Sequence, residues 1–381
     1  MVNMTPRTKT MVFRIIYSTV ALFLLFLLVA SKVPSLGRSI TRHHKHYGDL
    51  YDLCKVNYFK YEIPDFPWED TVTLDTVQDA EIICFGDSFV AFNDELFGYQ
   101  IKAKTGKKTA IVNYASLDNK HRNNPLYMLM ALDYHPKGRT VLIWEKVERV
   151  VAEEIPQMNP EIEPSDVFGE EKDAGGGKTP PTIPAQSSPI DTISNVILFR
   201  QDSLEYCFTN FVGTRWLISY VFTARFSLLG EISDLTSKYT TDPYMLFAYS
   251  EVAAYNRKIS DGDIKKIADT IERIHDRMDS EYNIEMVFLP IPDKYTVYGD
   301  LAGAGPYHGL IPRLTEELNK RSIPAIDLYR EFKAYRNRFG TDPLLYYPSD
   351  IHWNVEGTAL TTRMVIEFLN TKQEDGMGGG R

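Results

Sequence analysis

The sequence predicts an α/β fold built on a parallel sheet with crossover helices, set behind an apolar N-terminal segment. Three observations predict it. Short apolar bursts with strand character recur along the chain, helical periodicity lies between them, and one long uncharged run sits near the start.

Residues 15–30 read IIYSTVALFLLFLLVA. Counted outward to Val33, the run comes near the ~20 residues that span a bilayer. It reads as an uncleaved signal anchor. A cleaved signal peptide is the alternative, and Leu28 is a poor small-residue match ahead of Ala30-Ser31. Arg7, Lys9 and Arg14 precede the run, while Lys32, Arg38, Arg42 and Lys45 come after it, so basic residues alone do not fix the orientation. An apolar run behind a short basic head directs export of the chain beyond it, which places the remaining residues outside the cytoplasm, periplasmic or extracellular. His43-His44-Lys45-His46 then reads as a basic patch at headgroup level.

Residues 1–34 are therefore expected to be head and anchor, and 35–79, with Pro64 and Pro67, a lead-in. Residues 80–372 are expected to form the main domain. Its strands are read at AEIICFGDSF from Ala80, then at 109–114 (TAIVNY), 140–144 (TVLIW), 285–289 (EMVFL) and 324–328 (PAIDL). Such short runs, rich in β-branched and aromatic residues, suit a sheet covered on both faces. Helical periodicity is plainest over 263–279, where Ile264, Ile267, Ile271, Ile274 and Met278 make one stripe. Helices are also expected over 94–104, 309–320 and 358–370. Residues 151–255 read as an insertion. A flexible excursion over 153–189 is marked by Gly175-Gly176-Gly177 and Pro180-Pro181, and an aromatic-rich helical part over 190–249 is expected to pack on the core. Residues 373–381 read as a disordered tail.

Composition excludes some classes. The 381 residues carry a net charge of -9, with 51 acidic against 42 basic side chains, and show no basic footprint for nucleic acid. There is no zinc-like Cys or His spacing and no Gly-rich phosphate loop, so neither metal nor cofactor is expected. Of the three cysteines, Cys84 lies in an apolar run and reads as a small buried hydrophobe. A Cys54–Cys207 bridge is open in an oxidising compartment.

The sharpest local signal is Phe85-Gly86-Asp87-Ser88-Phe89, directly after the first strand. A serine at a strand-to-helix turn stands at the C-terminal edge of a parallel sheet, where open α/β folds bind ligands. Gly86 permits the tight backbone, Asp87 can fix the turn through nearby N–H groups, and N–H groups of the next turn can stabilise an oxyanion. A second segment, Tyr347-Pro348-Ser349-Asp350-Ile351-His352-Trp353-Asn354, supplies what a serine nucleophile needs: His352 as base and Asp350 to orient it. Each segment read alone is also a turn with a helix cap.

Together, Gly86-Asp87-Ser88-Phe89 early and Asp350-Ile351-His352 late resemble the nucleophile block and the final block of the SGNH (GDSL-type) hydrolases. Within that superfamily, three features resemble alginate O-acetyltransferase-like and exopolysaccharide acetylation proteins. These are Asp350-Ile351-His352-Trp353, the stretch Pro292-Asp293-Lys294-Tyr295-Thr296-Val297-Tyr298, and Trp144-Glu145-Lys146-Val147-Glu148-Arg149. The resemblance implies a three-layer α/β/α, flavodoxin-like SGNH fold over roughly residues 80–370, catalysis by Ser88, His352 and Asp350, and a polysaccharide or glycan substrate. It further implies an acetyl donor reached through a membrane-bound O-acyltransferase. Asn113, Asp87, Lys294, Tyr298 and Trp353 are the candidates for oxyanion or substrate contacts, and Arg149 is expected to pair with Glu145 or Glu148. The chain departs from the family in having Asn113-Tyr114-Ala115-Ser116 and Trp144-Glu145 where a Gly and a Gly-x-Asn-Asp block are usual. In the alginate acetylation proteins the Asp-x-His often precedes the serine, whereas here it comes after. Three functions stay open: an O-acetyltransferase, a carbohydrate esterase with the same triad, and a polysaccharide-binding scaffold.

Overall fold

The computed structural model describes residues 6–33, 36, 40, 47–64, 77–91, 97–114, 117, 121–168, 208, 210–211 and 213–378. In chain order its helices begin with α1 (Pro6–Lys32), α2 (Asp49–Cys54), α3 (Ser88–Ala91), α4 (Phe97–Thr105), α5 (Pro125–Ala131), α6 (Glu148–Glu154) and α7 (Pro164–Phe168). They continue with α8 (Arg215–Leu229), α9 (Tyr249–Asn256), α10 (Asp261–Tyr282), α11 (Lys294–Tyr298), α12 (Leu310–Lys320), α13 (Leu328–Phe339) and α14 (Val355–Gly378). Strands β1 (Ile82–Gly86), β2 (Thr109–Asn113), β3 (Thr140–Val147) and β6 (Ile284–Ile291) form a parallel sheet in the order β2-β1-β3-β6, and β4 (Lys238–Thr241) pairs with β5 (Tyr244–Phe247) as an antiparallel hairpin.

Alternation along each strand sends its side chains to two different cores. Ile83, Phe85, Leu142, Trp144, Met286 and Phe288 face one, which is covered by α5, α10 and α12. Ile82, Cys84, Ile143, Val287 and Leu289 face the other, covered by α3, α4, α13 and α14. The result is a three-layer α/β/α arrangement. Its helix α10 is held by Ser260, which accepts from Asp263 N at its start (3.1 Å), and by Asn283 in the left-handed conformation at its end. The apolar stripe Ile264, Ile267, Ile271, Ile274 and Met278 is wholly buried between these ends.

Some elements differ from the sequence reading. The stretch at 324–328 makes only a single parallel bridge, Phe288 with Ala325, instead of a fifth strand. Pro324 has no N–H to give, and Asp327 accepts from Arg330 N (3.0 Å), drawing the chain at once into α13. The helix expected over 94–104 is Phe97–Thr105, with residues 92–96 outside the described set. Helix α14 runs to Gly378, past the tail expected from residue 373. Much of the 153–189 excursion lies outside the described residues, although α6 and α7 occupy its start.

The described residues divide into two compact units, one of 1–46, 55–57 and 188–231, the other of 47–54, 58–187 and 232–381. In the first, α1 contains a span from Thr10 to Lys32 of mean hydropathy 2.4, long and apolar enough to cross a membrane. Helix α8 belongs to this unit, not to the sheet domain, and leaves most of its apolar side chains exposed rather than packed on a core. In the second, Cys84 is buried in β1 and burial pushes its thiol up, so it behaves as a small hydrophobe. Cys54 is buried, and Cys207 lies outside the described residues.

Truncation of Ile271 to Ala should cost about 2–5 kcal/mol, the range for a buried aliphatic side chain that leaves a cavity. Lys265→Ala on the exposed face of α10 should stay within about 0.5 kcal/mol. Paired urea denaturation curves of the two variants check this, and equal midpoints would contradict the burial pattern.

Candidate active site

The parallel sheet brings strand ends together at one edge. Register pairs Gly86 of β1 with Asn113 of β2, and Phe85 with Trp144 of β3. The turn after β1 is tight because it rests on a carboxyl. Asp87 N donates to Glu145 Oε2 (2.9 Å), and a Cβ at residue 86 would sit 2.2 Å from that same oxygen, so only glycine fits. Asp87 Oδ1 accepts from Phe89 N (2.9 Å), closing the turn and setting Ser88 at the start of α3. Glu145 is fully buried. Burial, then the nearby Asp87 charge, holds its carboxyl well above the usual range.

From the far end of the chain, the segment between Tyr347 and Trp353 folds over this turn. Ser88 Oγ lies 2.7 Å from His352 Nε2, and His352 Nδ1 lies 2.5 Å from Asp350 Oδ1. The same carboxylate oxygen accepts from His352 N (2.9 Å), so residues 350–352 form a closed turn. Asp350 and His352 are wholly buried and Ser88 is 8% exposed, which leaves the hydroxyl as the group of the three nearest to solvent. The ring of Phe89 packs on the imidazole with centroids 4.9 Å apart.

Asp350 Oδ2 accepts from the backbone N–H of Asp49 (2.7 Å), across 301 residues of sequence. Leu50 N and Tyr51 N both donate to Ser349 O at 3.1 Å. Gly48, at φ +92°, makes this approach possible, since a Cβ there would lie 2.2 Å from Ser349 O. The lead-in thus forms part of the site. Sequence reading missed it because α2 is only six residues long and the contact is nonlocal; the one available signal was a glycine just ahead of an acidic residue.

Lys294 supports the same loop from below. Its ammonium, wholly buried, donates to the carbonyls of Asp350 (2.5 Å), Tyr347 (3.2 Å) and Pro348 (3.2 Å). Desolvation lowers it from 10.5 to about 8, with the nearby charges of Glu251 and Asp350 working in the opposite sense. Arg149 pairs with Asp293 (2.6 Å), not with Glu145 or Glu148. Strands β3 and β6 run in register from Thr140↔Ile284 to Val147↔Ile291, so the residues just beyond their ends meet, a proximity that helical spacing does not reveal. Glu148 accepts from Asp293 N (3.1 Å) and from the Tyr307 hydroxyl (2.6 Å). Burial raises the carboxyls of Glu148, Glu251 and Asp293.

The remaining candidates fall into place around these. Asn113 ends β2 beside the Gly86 turn and is buried. Tyr298 is buried, accepts from Leu345 N (2.9 Å), and has its phenol pushed up to about 12 by burial. Trp353 is wholly buried edge-on against Phe89, with centroids 5.1 Å apart. Lys294, Tyr298 and Trp353 therefore support the loop from inside the fold. Asp49, Asp350 and His352 place donor atoms within 4.8 Å of one another, a set that could hold a cation. Asp350 Oδ1 and both imidazole nitrogens are already engaged in the hydrogen bonds above, an arrangement suited to proton transfer.

The comparisons with known proteins bear on the C-terminal part of the chain. The model of the family "SGNH hydrolase-like domain, acetyltransferase AlgX" matches residues 243–380. This part of the chain is similar to that family. No curated protein and no solved structure matches the chain. The AlgX-like match contains Lys294, Asp350 and His352 but does not extend to Ser88, so the serine enters the site by geometry alone. The family is one of hydrolases and acyl-transfer enzymes, and the segment similar to it contains the loop of Asp350 and His352 together with Lys294.

Two predictions concern this loop. Gly48→Ala should cost about 1–3 kcal/mol of strain. Turnover by the same variant should fall by about 10²-fold, because a shift near 1 Å misplaces Asp350; wild-type turnover in a folded Gly48→Ala protein would show that the lead-in contact is idle. Raising the pH through about 8 removes the Lys294 proton, leaving two N–H groups for three carbonyls, so turnover should fall there. From this group alone stability should rise over the same window, because the unfolded chain holds its proton up to 10.5. Glu251→Gln should move the activity limb to lower pH, and pH–rate profiles of both proteins check it.

Proposed function

We propose that the protein is a membrane-anchored O-acetyltransferase that works outside the cytoplasm on hydroxyl groups of a polysaccharide or glycan. The observation that carries this reading is the run of short hydrogen bonds Ser88 Oγ–His352 Nε2–His352 Nδ1–Asp350, at 2.7 and 2.5 Å. The AlgX-like match over 243–380 and the apolar span at Thr10–Lys32 support it.

Ser88 Oγ attacks the carbonyl carbon of an acetyl donor while His352 Nε2 takes its proton. Asp350 holds the Nδ1–H tautomer and stabilises the imidazolium, and Asp49 N–H and Lys294 keep that carboxylate aimed at the ring. The oxyanion is met by N–H groups of the α3 turn and by Asn113 at the end of β2. Collapse of the tetrahedral adduct expels the donor's leaving group, which takes the proton from His352, and leaves acetyl-Ser88. A sugar hydroxyl then attacks the ester, giving its proton to His352. The second collapse releases the acetylated sugar and returns the proton to Ser88. A membrane-bound O-acyltransferase is the proposed source of acetyl groups. The family's Gly and Asn blocks are absent, and Glu145 under the turn takes over the task of shaping this edge of the site.

The test is full-length protein with a chromogenic acetyl ester, with and without a sugar oligomer. Ser88→Ala and His352→Ala should each lower turnover by about 10³-fold or more, as for members of a serine triad. Acetylated oligomer formed only with intact Ser88 is the expected result. Acetate released into water with no sugar product would assign an esterase. Turnover unchanged by Ser88→Ala would overturn the triad.

A further inference from the structure

Helix α8 turns two hydroxyls to protein partners on one side and leaves an apolar face uncovered on the other. Ser219, Thr223 and Ser227, four residues apart, form a polar stripe. Within its own unit the first two face protein: Ser219 Oγ lies 2.9 Å from Lys55 O and 2.6 Å from Asn57 Oδ1, and Thr223 Oγ1 accepts from Asn57 N (2.9 Å), while the exposed Ser227 hydroxyl donates to Thr223 O (2.9 Å) in the same helix. The opposite face, Leu217, Val221, Ala224 and Leu228, looks outward. Leu228 is 82% exposed, Val221 59% and Leu217 51%. Trp216 and Tyr220 are exposed too, at 62% and 65%, ring against ring with centroids 6.2 Å apart. The helix holds two arginines and no acidic residue. Water on such a face is unfavourable, and a contiguous exposed apolar surface of this kind marks an interaction site.

The neighbouring helix in the same unit indicates what covers this face. Phe211, just before α8, packs its ring on Phe23 and Phe26 of α1, with centroids 5.5 and 6.5 Å apart. At 1.5 Å per residue these two positions lie about 14 and about 9 Å inside the end of the apolar span at Lys32. A bilayer around α1 therefore reaches the segment that leads into α8. At 15 residues α8 is about 22 Å long, short of the ~30 Å of a hydrocarbon core, so it would lie along the membrane and not cross it.

We propose that α8 is a second membrane contact, seated in the interface of the bilayer that α1 spans, with Leu217, Val221 and Leu228 among acyl chains and Trp216 and Tyr220 at headgroup level. Aromatic rings with a polar edge collect at that depth, and arginine side chains reach from it to phosphates. The inference rests on α1 as a spanning helix and is independent of the chemistry at Ser88.

The test uses the full chain in phosphatidylcholine vesicles carrying bromine on the acyl chains. Co-flotation with the vesicles reads the α1 anchor; a chain that fails to float overturns both readings. Quenching reads α8. Bromolipid should quench part of the tryptophan emission, and Trp216→Phe should remove most of that loss. Adding Leu228→Trp to Trp216→Phe should restore it, with stronger quenching from deeper bromines. Quenching unchanged by Trp216→Phe, or a Leu228→Trp emission quenched by aqueous iodide instead of bromolipid, would overturn the proposal. Iodide quenching lost only on adding a membrane-protein partner would assign the face to that partner.

Discussion

A buried ammonium holds the loop on which the site depends. Lys294 Nζ donates to three carbonyls of the segment Tyr347–Asp350, and it does so with no exposure to water. Carbonyl oxygens gathered around a point would repel one another if left empty, so the loop conformation that points Asp350 at His352 requires a charge in its centre. The surroundings make that charge tolerable. Glu251 and Asp350 both favour the ammonium, while burial alone drives it toward the neutral amine. The cost of one desolvated cation is thus distributed over carbonyls and carboxylates contributed by α9 and the C-terminal loop.

The same logic holds across the sheet edge. Glu145, Glu148, Glu251 and Asp293 are buried, and desolvation raises all four. Each is nonetheless given N–H or O–H donors or a cation: Asp87 N to Glu145, Tyr307 and Asp293 N to Glu148, Ala248 N to Glu251, Arg149 to Asp293. These groups fix the ends of β3 and β6, and with them the backbone on which Ser88 and the loop of His352 rest.

Legibility in the sequence tracked the range of the interactions. The four sheet strands announce themselves as dense apolar bursts because both faces are covered, and α10 because isoleucines repeat every turn. Helix α13 escaped notice, since its dozen residues bury only Leu328 and Phe332 and its remaining surface is charged. The hairpin of β4 and β5 is two four-residue strands without a strong alternating pattern. Ser88, Asp350 and His352 could be named because each stands in a compact motif beside an apolar block. Gly48 and Asp49 could not, since a backbone N–H carries no sequence signature. Lys294 was visible as a residue but not as a buried one, because burial of a lysine is decided by carbonyls more than fifty residues away.

Helices α8 and α10 make opposite use of one rule. In α10 the apolar stripe is buried and the charged face is wet, as burial of apolar area demands when the solvent is water. In α8 Ser219 and Thr223 turn inward to protein partners while Leu217, Val221 and Leu228 turn out. Polar groups need hydrogen-bond partners in any medium, and in hydrocarbon only the protein can supply them. A helix that brings its hydroxyls to the backbone of residues 55–57 and leaves its aliphatic face uncovered is therefore matched to a solvent that offers no hydrogen bonds. Sequence composition cannot separate the two cases, because an aromatic-rich, weakly charged helix suits a buried core as well as a bilayer surface. The direction of the polar stripe separates them, and that direction exists only once the chain has folded.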